Sequence, residues 1–181
     1  LTYNSSMKKL LLLVLLFSFS LNSYATPRFG ELTEMFDPKM RGKDSSWVRP
    51  HPGPFVWEMI EREEGRFFWK DADQYVKYAQ DHNQTIIATI WPYTKWDQKS
   101  CGRKKMKNPF GRHFPKRIAK PCSMEKYLSF LSSVVDRYDA DGKNDMPGLT
   151  NPIRHWEIMN EPEFKMFFSG KEDEFVEIFI E

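Results

Sequence analysis

The chain has 181 residues, 29% of them charged and 40% hydrophobic, which suits one domain with a sizeable core and leaves too little for two large ones. Lys8 and Lys9 account for the whole formal charge of +2, so from residue 26 onward 25 basic groups face 25 acidic ones and global charge names no partner. Two cysteines are too few for a structural zinc site, and neither a metal nor a cofactor is expected.

In chain order, Met7-Lys8-Lys9 is a basic start, Leu10 to Leu21 an apolar stretch, and Ser23-Tyr24-Ala25 offers small residues where a signal peptidase reads them. About twelve apolar residues fall short of the roughly 20 that span a bilayer. The expectation is a signal peptide cleaved after Ala25, a secreted or periplasmic protein and no stable membrane anchor. Export would let Cys101 and Cys122 form a disulfide, closing a loop of about twenty residues worth on the order of 3 kcal/mol. The start at Leu1 and the stop within the apolar-periodic segment 175–180 suggest a piece of a longer gene product.

Residues 26–46, with Pro27, Gly30, Pro38 and Gly42, read as an irregular lead-in. Trp47-Val48-Arg49 is a short strand ended by Pro50, Pro52, Gly53 and Pro54. Arg62 to Gly65 forms a turn after the apolar run from Phe55. Asp71 to His82 has Ala72, Tyr75, Val76 and Ala79 at helical spacing, acids in its first turn and Asn83 to close it in a left-handed cap. Thr85 to Trp91 is a strand apolar on both faces, as in a parallel sheet covered by helices. Ser123 opens a helix striped by Tyr127, Leu128, Leu131, Val134, Val135 and Tyr138. Ile153 to Met159 is the next strand, and another helix begins near Lys171.

This alternation predicts right-handed βαβ crossovers and an α/β fold, either a (β/α)₈ barrel or an open doubly wound sheet. No Gly-rich phosphate loop follows a strand, which argues against nucleotide binding. In both architectures the active site gathers at the carboxyl ends of the strands. Here those ends carry Arg49 and His51, then the run Trp91 to Asp97, then Asn160-Glu161-Pro162. Regular alternation along the last strand puts His155, Glu157 and Glu161 on one side and Trp156 and Asn160 on the other. Glu157 and Glu161 would then lie roughly 13 Å apart, beyond the ~5–10 Å of a glycosidase carboxyl pair. Glu157 therefore reads as a structural group with Arg49 as its partner.

The run Trp156-Glu157-Ile158-Met159-Asn160-Glu161-Pro162 resembles the fourth strand of the large glycoside hydrolase clan with (β/α)₈ barrels, which includes cellulases, mannanases, β-xylosidases and β-galactosidases. Residues 47–97 resemble the strand-two region of the same clan, and the likeness extends over about 47–165. It implies a partial barrel over 47–181, roughly strands two to four, with the first strand and helix shortened or missing. It also implies a retaining O-glycosyl hydrolase with Glu161 as general acid/base and Asn160 on the sugar's 2-hydroxyl, while the nucleophile would come from a strand beyond residue 181. Such a piece would be inactive alone. A departing sugar oxygen needs protonation, and a partly buried carboxyl at a strand mouth suits the role. Arg49, His51 and the flat faces of Trp57, Trp91 and Trp96 are the expected substrate-binding groups.

Between Lys99 and Lys120 stand nine basic residues and no acid, with Phe110, His113 and Phe114 interleaved. An exported protein rarely meets nucleic acid, so the carbohydrate substrate stays the expected partner and the loop is read as a solvated, disulfide-held surface or an anionic-polysaccharide rim. The non-enzyme alternative is a secreted carbohydrate-binding or surface protein on a degenerate barrel.

Overall fold

The computed structural model describes residues 30–33, 45–107 and 114–180. The expected signal segment with its cleavage point at Ala25, together with Phe110, Arg112 and His113, lies outside the described residues. The elements are β1 (Gly30–Thr33), β2 (Trp47–Pro50), α1 (Trp57–Ile60), α2 (Lys70–Asp81), β3 (Thr85–Ile90), α3 (Lys95–Ser100), α4 (Met124–Tyr138), β4 (His155–Ile158) and α5 (Glu172–Ile180). The four strands form one parallel sheet in the order β1-β2-β3-β4.

β1 lies within the stretch read as an irregular lead-in, and at four residues it is a shortened first strand, not a missing one. GELT has neither an apolar run nor alternation, so pairing with β2 defines it, in the register Gly30↔Trp47 to Thr33↔Pro50. A side chain at residue 30 would put Cβ 2.8 Å from the Trp47 Cβ, and glycine removes that obstacle. Thr33 is buried and its hydroxyl lies 2.7 Å from the Tyr75 hydroxyl, which ties the edge strand to α2. With β1 counted, the strand that leads into Asn160 and Glu161 is the fourth.

The sheet has two unlike faces. Val48, Ile86, Ala88 and Ile90 form one core with Ala72, Tyr75, Val76 and Ala79 of α2 and with Val134 and Tyr138 of α4. The alternate residues Arg49, Ile87, Glu157 and Leu32 stay partly or fully exposed. Each α2 and α4 helix shows the expected sequence signals. Asn83 adopts φ 53° after α2, and Ser123 caps α4 by accepting from the Lys126 amide at 3.3 Å. Asp73 in the first turn of α2 accepts from the Arg137 guanidinium at 2.8 and 2.6 Å and from the Tyr138 hydroxyl at 2.9 Å, which docks α2 on the end of α4. Cys101 and Cys122 form the expected disulfide across 21 residues. Asp97, almost fully buried, accepts from the amides of Cys122 and Ser123 beside it. Burial pushes its carboxyl up, and those two amides pull it part of the way back. Among the described residues no helix is long and apolar enough to cross a membrane.

Candidate active site

The partly exposed face of the sheet carries a connected polar cluster at the carboxyl ends of β2, β3 and β4. Thr89 and Glu157 are register partners, so their side chains leave the sheet on the same side. The Thr89 hydroxyl donates to Glu157 Oε2 at 2.7 Å, and Arg49 reaches the same oxygen with Nε at 2.9 Å and Nη2 at 2.6 Å. Arg49 Nη2 also donates to Asn160 Oδ1 at 2.9 Å, and Asn160 Nδ2 donates to Glu161 Oε2 at 2.8 Å. One chain of hydrogen bonds thus runs Thr89, Glu157, Arg49, Asn160, Glu161. The Arg49 and Glu157 side chains are 21% and 37% exposed, so water screens the ion pair and its main effect is to fix geometry.

This chain overturns the alternation expected for the last strand. Glu157 and Asn160 are both within reach of one guanidinium because Met159 turns into the left-handed region at φ 58° and Glu161 follows at φ 42°. A non-glycine residue holds that conformation only where its surroundings insist on it. The Met159 amide still donates to the Ile90 carbonyl at 2.9 Å, extending the parallel ladder. Beyond it the buried Tyr93 hydroxyl donates to the Phe167 carbonyl at 2.7 Å and lies 2.9 Å from the Met159 sulfur. Burial raises the Tyr93 phenol well above its ordinary value, so it stays a donor. Glu161 is exposed, not partly buried as expected. Its carboxylate stands at the outer end of the cluster, where it can meet a ligand.

His51 and Trp91 join this neighbourhood. Their rings are 5.7 Å apart, and the Trp91 indole donates to the Pro52 carbonyl at 2.7 Å. Burial lowers the His51 imidazole, the Arg49 charge lowers it further, and Glu157 and Glu161 offset part of that shift. His51 is therefore predominantly neutral near pH 7. Trp91 has no exposed surface, with Phe114 and Phe167 against it at ring distances of 4.8 and 5.7 Å, so it walls the site without presenting a free face.

Two expected substrate platforms are elsewhere. Trp57 is fully buried in α1, donates to Glu61 Oε2 at 2.6 Å, and packs on Phe130, Trp96 and Tyr127. It cannot stack on a sugar. Trp96 donates to the Glu61 carbonyl at 2.9 Å, with the Lys126 ammonium 5.6 Å from its ring centre, and belongs to the same aromatic core. His155 lies at the amino end of β4 against Trp47, with ring centres 4.8 Å apart, away from the cluster. Sequence reasoning missed Thr89 and Phe164, and placed Tyr93 at a strand end without giving it a role. Thr89 is a hydroxyl among the apolar residues Ile86 to Ile90, and that contrast was a usable signal. Phe164, 51% exposed, follows Glu161 by one turn, its amide donating to the Glu161 carbonyl at 3.0 Å.

Among the described residues one group of acids could hold a cation, Asp139, Asp141 and Asp145, with carboxylate oxygens within 4.8 Å of one another. These carboxylates already accept from the amides of residues 140 to 143, which accounts for their clustering without an ion.

A parallel sheet with helices over one face and its polar groups at the carboxyl ends of the strands defines an α/β protein whose site sits where that architecture places it. No protein-family model and no curated protein matches the sequence. Among solved structures, a glucosidase from Croceicoccus marinus superposes with a TM-score of 0.52 at 19% identity, covering 76% of this chain and 26% of the glucosidase. A β-galactosidase from the psychrophilic Marinomonas ef1 superposes with a TM-score of 0.51 at 19% identity, covering 76% of this chain and 22% of its own. At that identity the shared property is the fold. The chain spans about a quarter of the length of either enzyme, and its fold is glycosidase-like.

Proposed function

We propose that the complete protein hydrolyses O-glycosidic bonds of a poly- or oligosaccharide by a retaining mechanism on a (β/α)₈ barrel, of which the described strands form one side. The observation that carries this reading is the hydrogen-bond chain from Arg49 through Asn160 to Glu161 at the strand mouth. Glu161, exposed and anchored on one oxygen by Asn160, acts as general acid. It gives its proton to the glycosidic oxygen as the bond to the anomeric carbon breaks, so that the departing sugar leaves as a neutral alcohol. A carboxylate outside the described residues takes the anomeric carbon. Glu161 then withdraws a proton from the water that hydrolyses the covalent intermediate, which returns it to its starting state. Asn160 Oδ1 is held by Arg49, so its amide is oriented to serve Glu161 and a substrate hydroxyl beside it. Glu157 is given a positioning role because its Oε2 accepts from both Arg49 and Thr89. It holds the arginine that holds the amide. The reading also makes this face of the sheet the interior of the barrel and puts the polar cluster at its carboxyl-end mouth, where that architecture receives a substrate.

The test compares the complete protein with its Glu161→Gln variant on a panel of aryl glycosides. Loss of a general acid/base lowers kcat by about 10²–10⁴-fold, and glycosides with the most acidic leaving phenols suffer least in the glycosylation step because they need no proton. Equal rates in the two proteins would remove Glu161 from the mechanism.

A further inference from the structure

The turn that begins at Glu161 does not end at the site. It continues through exposed Phe164 and Met166, 51% and 43% accessible, into a cleft of about 910 Å³ between residues 101–107 and 166–174. Five cations line this cleft, Arg103, Lys104, Lys105, Lys107 and Lys171, against a single carboxylate, Glu174. That carboxylate is already matched: Arg103 pairs with it at 2.7 Å. Burial opposes ionisation of Glu174, but the Lys171 amide and the Arg103 guanidinium outweigh burial and hold the carboxyl below its ordinary range. Lys104, Lys105, Lys107 and Lys171 make no ion pair among the described residues, in a chain whose formal charge is only +2. All four are exposed, so their ammonium groups can meet an anion arriving from solvent and concentrate positive potential at the cleft.

The cationic wall is pinned in place. The Cys101–Cys122 disulfide closes its base, the Arg103 amide donates to the Gln98 carbonyl at 2.9 Å, the Met106 amide to the Lys116 carbonyl at 2.7 Å, and Arg117 Nε to the Arg103 carbonyl at 2.9 Å. The opposite wall is joined to it where the Ser169 amide donates to the Ile118 carbonyl at 2.7 Å. A ligand therefore meets cations whose backbone is already ordered, which lowers the entropy lost on binding.

We propose that this cleft binds the carboxylate or sulfate groups of an anionic glycan, whose chain passes over Phe164 and Met166 to present a neighbouring ring to Glu161. The proposal deepens the glycosidase reading and rests on it for the part played by Glu161. An anionic sugar fits better than nucleic acid because single-stranded nucleic acid is gripped by stacking its bases on aromatic side chains, and among the described residues no aromatic side chain lines the cleft.

Calorimetric titration of the complete protein carrying Glu161→Gln, which keeps substrates intact, tests this with four oligomers of equal length: a uronate oligosaccharide, a sulfated oligosaccharide, a neutral oligosaccharide and a single-stranded oligonucleotide. At least one acidic oligosaccharide should bind about tenfold tighter than the neutral one at low ionic strength, and salt near 1 M should erase the difference as charges are screened. Which acidic oligosaccharide binds tighter identifies the anionic group. Combining Lys104→Gln, Lys105→Gln and Lys107→Gln should remove the acidic preference while leaving neutral affinity and Tm unchanged. The idea fails if the neutral oligosaccharide binds as well as the acidic ones, if the triple variant keeps the preference, or if the oligonucleotide binds tightest. Turnover of aryl glycosides by the unsubstituted protein separates the two readings. An acidic preference with no dependence of turnover on Glu161 leaves the cleft and removes the glycosidase, and the reverse result removes the cleft alone.

Discussion

Two regions built around tryptophans, the helix-borne cluster at Trp57 and Trp96 and the strand mouth at Trp91, have opposite characters. Under α1, α3 and α4, Trp57, Trp96, Tyr127 and Phe130 pack ring on ring, with Trp57 and Phe130 centres 5.5 Å apart and stacked. Both indole nitrogens there end on Glu61, at its carboxylate or its carbonyl. At the mouth of β2 to β4 the same density of unusual residues gives side-chain to side-chain hydrogen bonds, left-handed backbone at Met159 and Glu161, and a carboxylate facing outward. The first region uses its polar atoms to complete a core. The second retains hydrogen-bonding capacity beyond what the fold consumes, and that spare capacity marks a site more reliably than aromatic content does.

The widest way to break this contrast is to remove a core ring. Trp57→Ala should lower stability by about 3–5 kcal/mol through the cavity left among Trp96, Tyr127 and Phe130, read as the midpoint shift in denaturant. A cost near that of a surface substitution would place Trp57 outside the scaffold. Next in size is the disulfide. Replacing Cys101 and Cys122 together with alanine should cost about 3 kcal/mol by freeing a loop of this length in the unfolded chain. Unchanged stability under reducing and oxidising conditions would deny the bond a structural role.

Arg49→Met sharpens the other half of the comparison. Glu157 and Asn160 lose a shared donor, but partial exposure lets water take its place, so stability should fall by only about 1–2 kcal/mol. Its effect on turnover of the complete protein should exceed its effect on folding, because Asn160 then has no fixed orientation toward Glu161. If turnover falls no further than stability explains, Arg49 is scaffold as well.

Much of this was legible beforehand, for reasons that differ residue by residue. α2 announced itself by the 3.6-residue spacing of Ala72, Tyr75, Val76 and Ala79 and by Asn83, and each of those residues lies where the periodicity implied. The Arg49–Glu157 pair followed from the cost of an unpaired carboxylate on a sheet. β1 was hidden because its pairing uses backbone groups that any sequence possesses. Trp57 misled because Val56 belongs to a bridge with Trp91 while Trp57 already starts a single helical turn, and a switch of period at one residue leaves no trace in composition. Asn160 and Glu161 meet at the strand mouth beside Arg49, yet that meeting depends on Met159 turning left-handed, which a methionine does not advertise.

The smallest expected effect is also the most local probe of the mouth. His51 has its imidazole lowered by burial and by the Arg49 charge, with Glu157 and Glu161 pulling the other way. Its NMR titration should therefore have a midpoint below the ordinary 6.5. Because the folded value is depressed, the neutral ring contributes stability that is complete above the unfolded value near 6.5 and is lost as pH falls from there through the folded midpoint. Glu161→Gln removes one of the charges that raise the imidazole, so the midpoint should move lower still; Arg49→Met removes the charge that lowers it, so the midpoint should rise. Opposite shifts from the two variants require that both groups sense the same ring across the strand mouth. Shifts of one sign, or none, would mean that the cluster does not hold together in solution as its hydrogen bonds describe.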